Sequence, residues 1–329
     1  MNKKTMLFAP LALLALASCS GGSSSSEAAT SEEPAYQVKW VTPTGTPTLA
    51  FYNQGSNANW VSSSTPSTVV VPSFQTNNYD AIVFDGVSGL NVINKTGANY
   101  KLAKWISGGN FYVVSTTHTS TDSFATGETI MSFVQTGNAS RSFLKLSKDV
   151  WNWNYADTDI TYQTGVAGVA QSILQNGGNT DYYVVAEPVL TSLKSKLGDN
   201  LHVIYDLQSE WKKAYNQETI PAAALFINND SYSAHKDSLD TFISDTQKRM
   251  DTAISTPSTI KASLDAYGND AAVQNRFGFT SSLAVSLQSS NKNDFGLLKS
   301  GVITDNKAFA NDFNVTLGGT AFSDSLFLE

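Results

Sequence analysis

The sequence is poor in cysteine, histidine and charge. Cys19 is the single cysteine, so no disulfide can form within the chain. Histidine occurs only as His118, His202 and His235, with no metal-ligand spacing and no Ser-His-Asp order, and no phosphate-binding loop is present. Charged residues make up 15% of the 329 residues and sum to a formal −7, with no basic run. That balance argues against nucleic acid as a partner. Beyond the N-terminal region no apolar run approaches the roughly 20 residues of a membrane span.

What is present begins with Lys3 and Lys4, an apolar run from Met6 to Ala17, and Leu16-Ala17-Ser18-Cys19. Residues 1–18 read as a secretory signal whose apolar run is too short to span a bilayer. The mature chain then carries −9, because Lys3 and Lys4 leave with the signal. Residues 19–34 are Gly, Ser, Ala, Thr and Glu with little to bury, and read as a disordered tether. The remaining chain, about 295 residues, is too long for one small core, and two lobes are expected.

From Gln37 onward strand patterns alternate with helix patterns, which is the signature of α/β architecture. The organising stretch is Gln37–Gln54. A short strand to Thr42 runs into a loop of Pro43 to Thr46, with Thr46 expected as helix N-cap and Pro47 as first helical residue. Its loop offers hydroxyls and backbone N–H groups at the carboxyl end of a strand, where open α/β sheets bind ligands. An ordinary strand-to-helix connection would look the same. Thr68–Val71 reads as a strand. Tyr79–Phe84 is a nearly continuous apolar run, as in a strand buried on both faces. Further strands are expected at Lys101–Trp105, Asn110–Ser115, Gly127–Val134, Asp159–Gln163, Asp181–Ala186, Leu201–Leu207 and Ile220–Ile227, with a polar span at His118–Thr126 and helices after the third, fourth and fifth of these strands. After Ser233 the chain is mostly helical. Leu239, Phe242, Ile243, Thr246 and Met250 recur at three- and four-residue steps.

Taken in order, these pieces resemble the solute-binding lipoproteins of ABC importers, in the branch that binds nitrate, sulfonates and thiamin-pyrimidine precursors. The matching pieces are the lipobox ending in Cys19, TPTGTPTLAFY (42–52), YDAIVFDG (79–86), GETIMSF (127–133) followed by TGNAS (136–140), VVAEPV (184–189), IPAAALFI (220–227) and LGGTAFSD (317–324). The resemblance implies a two-lobe periplasmic-binding-protein fold of type II with two crossover strands, near Phe111–Thr116 and Pro221–Ile227. Lobe one would hold residues 35–115 and 225–329, and lobe two residues 116–224. It also implies lipidation of Cys19, a monomer on the outer face of the membrane, a partner permease, and a small organic ligand, with no cofactor and no metal.

Carried over residue by residue, the resemblance places ligand contacts at Thr44, Gly45, Thr46 and Pro47; at Phe84, Asp85 and Gly86; at Thr136, Gly137, Asn138 and Ala139; and at Glu187. Hydroxyls and N–H groups suit an anion or a carbonyl, whereas Asp85 and Glu187 suit an amine. Both acids also stand where helix N-caps are favoured. Trp151, Trp153 and Tyr155 share one face in extended chain, and either stack on a planar ligand or fill a core. Trp40, Trp60 and Trp105 read as core, and Arg141 as an anion clamp or a surface residue. Two other functions fit the same fold: a surface adhesin or sensor without a transporter, and an enzyme like the pyrimidine synthases, for which no histidine stands at an expected helix mouth.

Overall fold

Two five-stranded sheets carry the chain. In the first, strands β1 (Trp40–Pro43), β2 (Trp60–Ser63), β3 (Ala81–Asp85), β4 (Tyr100–Trp105) and β10 (Ala223–Asn228) run in the order β2-β1-β3-β10-β4. In the second, β5 (Phe111–Ser115), β6 (Ile130–Phe133), β7 (Ile160–Gln163), β8 (Tyr182–Ala186) and β9 (His202–Asp206) run in the order β7-β6-β8-β5-β9. β10 is antiparallel to both of its neighbours, and so is β5. The computed structural model describes residues 36–120, 124–176, 179–268, 270–278, 280–283 and 296–329. The signal, Cys19 and the tether lie outside the described residues.

The central strands show why they sit in the middle. Every residue of β8 and of β10 is buried. Successive side chains point to opposite faces of a sheet. Accordingly Tyr182, Val184 and Ala186 join one core while Tyr183 and Val185 join another. In β10, Ala224 and Phe226 face one side and Ala223, Leu225 and Ile227 the other. Helices therefore cover both faces. α1 (Pro66–Thr76), α2 (Gly86–Thr96) and α11 (Asn306–Thr316) lie on one side of the first sheet. On its other side lie α8 (Lys236–Ser255), α9 (Ser258–Ala266) and α10 (Ala271–Phe277), behind the short α7 (Asn229–Ala234). The second sheet is flanked by α3 (Asn138–Asp149) and α6 (Leu207–Tyr215) on one face and by α4 (Val166–Asn176) and α5 (Val189–Leu197) on the other.

Two chain segments pass between the sheets, and they pair with each other. Ile106 N–H donates to the Ala223 carbonyl (2.8 Å), Ala222 N–H to Ser107 (3.0 Å) and Gly109 N–H to Ile220 (2.7 Å). The crossing thus lies just before β5 and β10. Phe111–Ser115, read from the sequence with lobe one, is hydrogen-bonded within the second sheet, and Ala223 and Ala224, read with lobe two, within the first.

Two local expectations change. Thr68–Val71 is not a strand but the middle of α1, which starts at Pro66 and buries Val70 and Phe74 four residues apart. The preference of the Val69–Val71 run for strand is overridden by this packing. The helix after β1 is a 3-10 helix, Thr46–Phe51, capped by Gly45 with no side-chain cap, so Thr46 is its first residue rather than its cap.

Candidate functional site

Four of the strand-ending loops meet between the lobes, in two pairs. In the first pair, the Thr46 hydroxyl lies 3.4 Å from the Glu187 carbonyl and accepts from Asn110 Nδ2 at 3.2 Å. Asn110 in turn accepts the Glu187 N–H on its carbonyl (3.0 Å). In the second pair, Asp85 Oδ2 receives the Asn138 N–H at a long 3.5 Å, and Asn138 Nδ2 donates to the Pro221 carbonyl at 2.9 Å. Lobe one supplies Thr46 and Asp85; lobe two supplies Asn138 and Glu187. Arg141, one turn into α3, also crosses, donating from Nη2 to Asn314 Oδ1 on α11 at 3.2 Å. The lobes therefore touch directly, in a closed arrangement.

Each loop is held by its own local chemistry. Gly45 has φ 96° and ψ −154°, a conformation that side chains other than hydrogen avoid. The Gly45 N–H is bonded to the Phe277 carbonyl (2.8 Å) and that of Thr44 to Ser63 (2.9 Å), so the N–H groups expected to be free on this loop are partly engaged. Pro47 follows, half-buried. Gly86 opens α2 against the sheet: a Cβ there would lie 2.1 Å from the Trp105 ring. Phe84 turns into the packing, edge-on to Phe74. In the third loop Thr136 is exposed, whereas Asn138 and Ala139 are buried. Gly137 caps α3, with its N–H bonded to the Val134 carbonyl (2.7 Å).

Both acids bond to the first turn of the helix that follows, Asp85 as the N-cap of α2 and Glu187 from the residue before the N-cap of α5. Asp85 Oδ1 accepts the Ser88 N–H at 2.8 Å. Glu187 accepts Thr191 N–H on Oε2 and the Thr191 hydroxyl on Oε1, each at 3.0 Å, so its side chain folds onto its own helix while its carbonyl faces the cleft. Asp85 keeps a second oxygen toward lobe two. Its pKa lies above the ordinary carboxylate value because burial opposes the charge; hydrogen bonds from Ser88 and Asn138 and the charge of Arg141 work the other way. Burial likewise lowers the pKa of Arg141, with Asp85 opposing that shift. Asn138 is 1% exposed, and its Oδ1 is buried with no hydrogen-bond partner.

No protein-family model and no curated protein matches the chain. Solved structures do. An ABC transporter from Parabacteroides distasonis matches with TM-score 0.62 at 17% identity, over 89% of this chain and 98% of that one. The periplasmic aliphatic sulphonate binding protein SsuA from Escherichia coli matches at 0.59 and 10% identity, over 84% and 90%. The periplasmic nitrate-binding protein NrtA from Synechocystis matches at 0.61 and 8%, over 85% and 80%. The fold is that of the periplasmic binding proteins.

Within the periplasmic-binding-protein fold, the tryptophans take the core alternative. Trp40, Trp60, Trp105, Trp153 and Trp211 are buried, and Trp151 is half-buried, stacked on Tyr205 with ring centroids 3.8 Å apart. Tyr155 packs edge-on to Phe124. Arg141 reaches across the lobes and is not a surface residue. Two participants were missed by sequence reasoning. Asn110, with φ 69°, bridges Thr46 and Glu187 from the crossing segment. Val134 has φ 48°, which β-branched residues strongly disfavour, in the turn that leads to Gly137. No composition or spacing signal marks Val134; Asn110 had one, standing after Gly108-Gly109 where asparagine tolerates positive φ.

Proposed function

We propose that this chain is an extracellular solute-binding protein that closes on a small polar molecule and delivers it to the permease of an ABC importer. The supporting observation is the two-by-two meeting of Thr46 with Glu187 and of Asp85 with Asn138 across the cleft. A molecule touching both lobes favours closure by its preference for the closed form. The ligand contacts are Thr44–Pro47, Phe84–Gly86, Thr136–Ala139 and Glu187, to which we add Asn110. The unpartnered Asn138 Oδ1 is a buried acceptor, so the ligand carries an N–H or O–H donor. The lobes are those built on the two sheets, and the reading includes monomeric action without chemistry on the ligand. Among the described residues no helix is long and apolar enough to cross a membrane. Attachment runs through lipidated Cys19 and the tether.

The test is a thermal-shift screen against nitrate, sulfonates, thiamin precursors, riboflavin and amino acids. A ligand raises Tm by mass action. Titration calorimetry then compares wild type with the double variant Thr46→Ala, Asn138→Ala, which folds normally and binds at least about tenfold more weakly through the loss of about 1.4 kcal/mol or more. Equal affinity would place the site elsewhere, and turnover of the ligand would make the chain an enzyme. Cys19→Ser releases the protein from membranes or leaves the signal uncleaved; a processed variant that stays membrane-bound overturns the anchor.

A further inference from the structure

His118, Glu128 and Asp181 come from three separate segments and meet at one point. His118 follows β5, Glu128 precedes β6 and Asp181 directly precedes β8. His118 Nε2 lies 3.0 Å from Glu128 Oε1 and 3.8 Å from Asp181 Oδ1, and one ligand atom from each residue falls within 4.8 Å of the others. All three side chains are partly exposed, so the point is open to solvent ions.

Each of the three is oriented by contacts outside the trio. Glu128 Oε2 accepts the Ala125 N–H at 2.6 Å, which leaves Oε1 toward the imidazole. Asp181 Oδ2 accepts both the N–H and the hydroxyl of Thr129, at 2.7 and 3.1 Å, which leaves Oδ1 toward the imidazole. The His118 ring lies on the Tyr182 ring, with centroids 4.7 Å apart and planes 14° from parallel, while its backbone N–H is held by Ser115 Oγ at 2.9 Å. A proton on Nε2 bonds well to only one carboxylate and leaves the second at 3.8 Å. A divalent ion satisfies both carboxylates and the nitrogen together. Ligand atoms about 2.0–2.2 Å from zinc stand about 3.3–3.6 Å from one another in a tetrahedral site, a range bracketed by the 3.0 and 3.8 Å that separate the imidazole nitrogen from the two carboxylates. An imidazole nitrogen selects against calcium and magnesium, which take oxygen ligands.

We propose that this pole of the second lobe binds one divalent ion of the zinc class through His118 Nε2, Glu128 Oε1 and Asp181 Oδ1, with water in the fourth position. The ion ties together the end of β5 and the starts of β6 and β8. Those strand ends lie opposite the cleft, to which the other ends of β6 and β8 lead through Asn138 and Glu187. Asp181 and Glu187 are separated by the length of β8, about 20 Å for six extended residues. Metal binding and solute binding are therefore separable.

The experiment is calorimetric titration of zinc chloride into the purified chain, free of any affinity tag, followed by cobalt(II) absorption spectra. Wild type takes up one equivalent, gives visible cobalt bands from a low-coordinate site, and gains about 5 °C in Tm at zinc concentrations about a hundred times Kd. His118→Ala and Glu128→Gln each weaken uptake about a hundredfold or abolish it, whereas His202→Ala, Cys19→Ser and the Thr46→Ala, Asn138→Ala double variant bind as wild type does. Should His118→Ala fail to fold by circular dichroism, the near-isosteric Glu128→Gln decides. Absence of saturable one-to-one uptake by wild type, or uptake unchanged in the folded His118 and Glu128 variants, overturns the site.

Discussion

The two lobes solve the same packing problem with different stretches of chain. The second sheet is built from residues 111–206 in one continuous run, with β5 added antiparallel beside β8. The first sheet takes β1 to β4 from the start of the described chain and its fourth-placed strand, β10, from more than a hundred residues later. Its far face is then covered by the helical C-terminal region, where Leu239 and Met250 of α8 pack with Trp40, Phe51 and Trp60. A continuous lobe takes its whole sheet from one stretch, although here α6 also packs on α11 of the first lobe, with the Trp211 and Phe313 ring centroids 5.0 Å apart. A discontinuous one is completed only when both ends of the chain have arrived. The second sheet is thus the more local assembly in sequence, while the two lobes share one apolar core where α6 meets α11.

The largest effect that tests this difference comes from truncating one buried tryptophan in each lobe. Trp153→Ala and Trp105→Ala are each expected to cost about 3–5 kcal/mol. In hydrogen exchange, Trp153→Ala should deprotect β6 and β8 while β3 and β10 keep their protection. Trp105→Ala also removes the indole N–H that donates to the Asn306 carbonyl at 3.1 Å, so it should loosen α11 together with the first sheet. Equal deprotection of both sheets by either variant would mean that the lobes are one cooperative unit.

A smaller effect sharpens the comparison at the cleft. Val134 holds a left-handed conformation that costs about 1–3 kcal/mol for such a residue. Val134→Gly relieves it and should raise stability by about 1 kcal/mol in urea denaturation, with the melting of the second lobe alone shifted. A destabilised Val134→Gly would show that the exposed isopropyl group contributes more than the strain costs.

The smallest effect is expected from Asp85→Asn, and its value lies in its sign. Asparagine keeps the cap on α2. Because burial raises the Asp85 pKa above its usual 3.8, the folded protein holds that proton more tightly than the unfolded chain does. The stabilisation is complete below pH 3.8 and is lost as pH rises through the folded value. At pH 7 the variant should therefore melt a degree or two higher than wild type, and the advantage should vanish below pH 3.8. A lower Tm for Asp85→Asn at pH 7 would mean that Arg141 and the Asn138 N–H outweigh burial.

Much of this layout is legible in the sequence, for reasons particular residues make plain. Tyr182–Ala186 and Ala223–Ile227 are apolar without interruption, so they had to be strands covered on both faces. Asp85 before Gly86, and Gly198 after Leu197, mark the start of α2 and the end of α5 in the local sequence. Legibility stopped wherever the partner was remote. The 3-10 turn at Thr46–Phe51 is shaped by the Phe277 carbonyl, which receives Gly45 N–H and the Thr48 hydroxyl across more than two hundred residues. The loops of the candidate site were identifiable as strand ends, but their pairing across the cleft was not. Asp85 and Glu187 carry the same charge at similar positions. In the folded chain one oxygen of Asp85 turns to the opposite lobe, whereas both oxygens of Glu187 bond to Thr191. His118, Glu128 and Asp181 are separated too widely for any spacing rule to join them.

The paired crossing segments have a mechanical consequence. Gly108 and Gly109 lie against Thr219 and Gln208 so closely that a Cβ on either would approach a neighbouring atom to 2.6 or 2.4 Å. Two strands bonded side by side resist splaying and sliding, since either motion breaks the bonds between Gly109 and Ile220 or between Ala222 and Ser107. Twisting about their shared axis keeps those bonds intact. The ribbon holds the lobes side by side, so a molecule that bridges them freezes less relative motion than it would between two free bodies. The entropy of docking two bodies has been removed in advance by the ribbon that joins them.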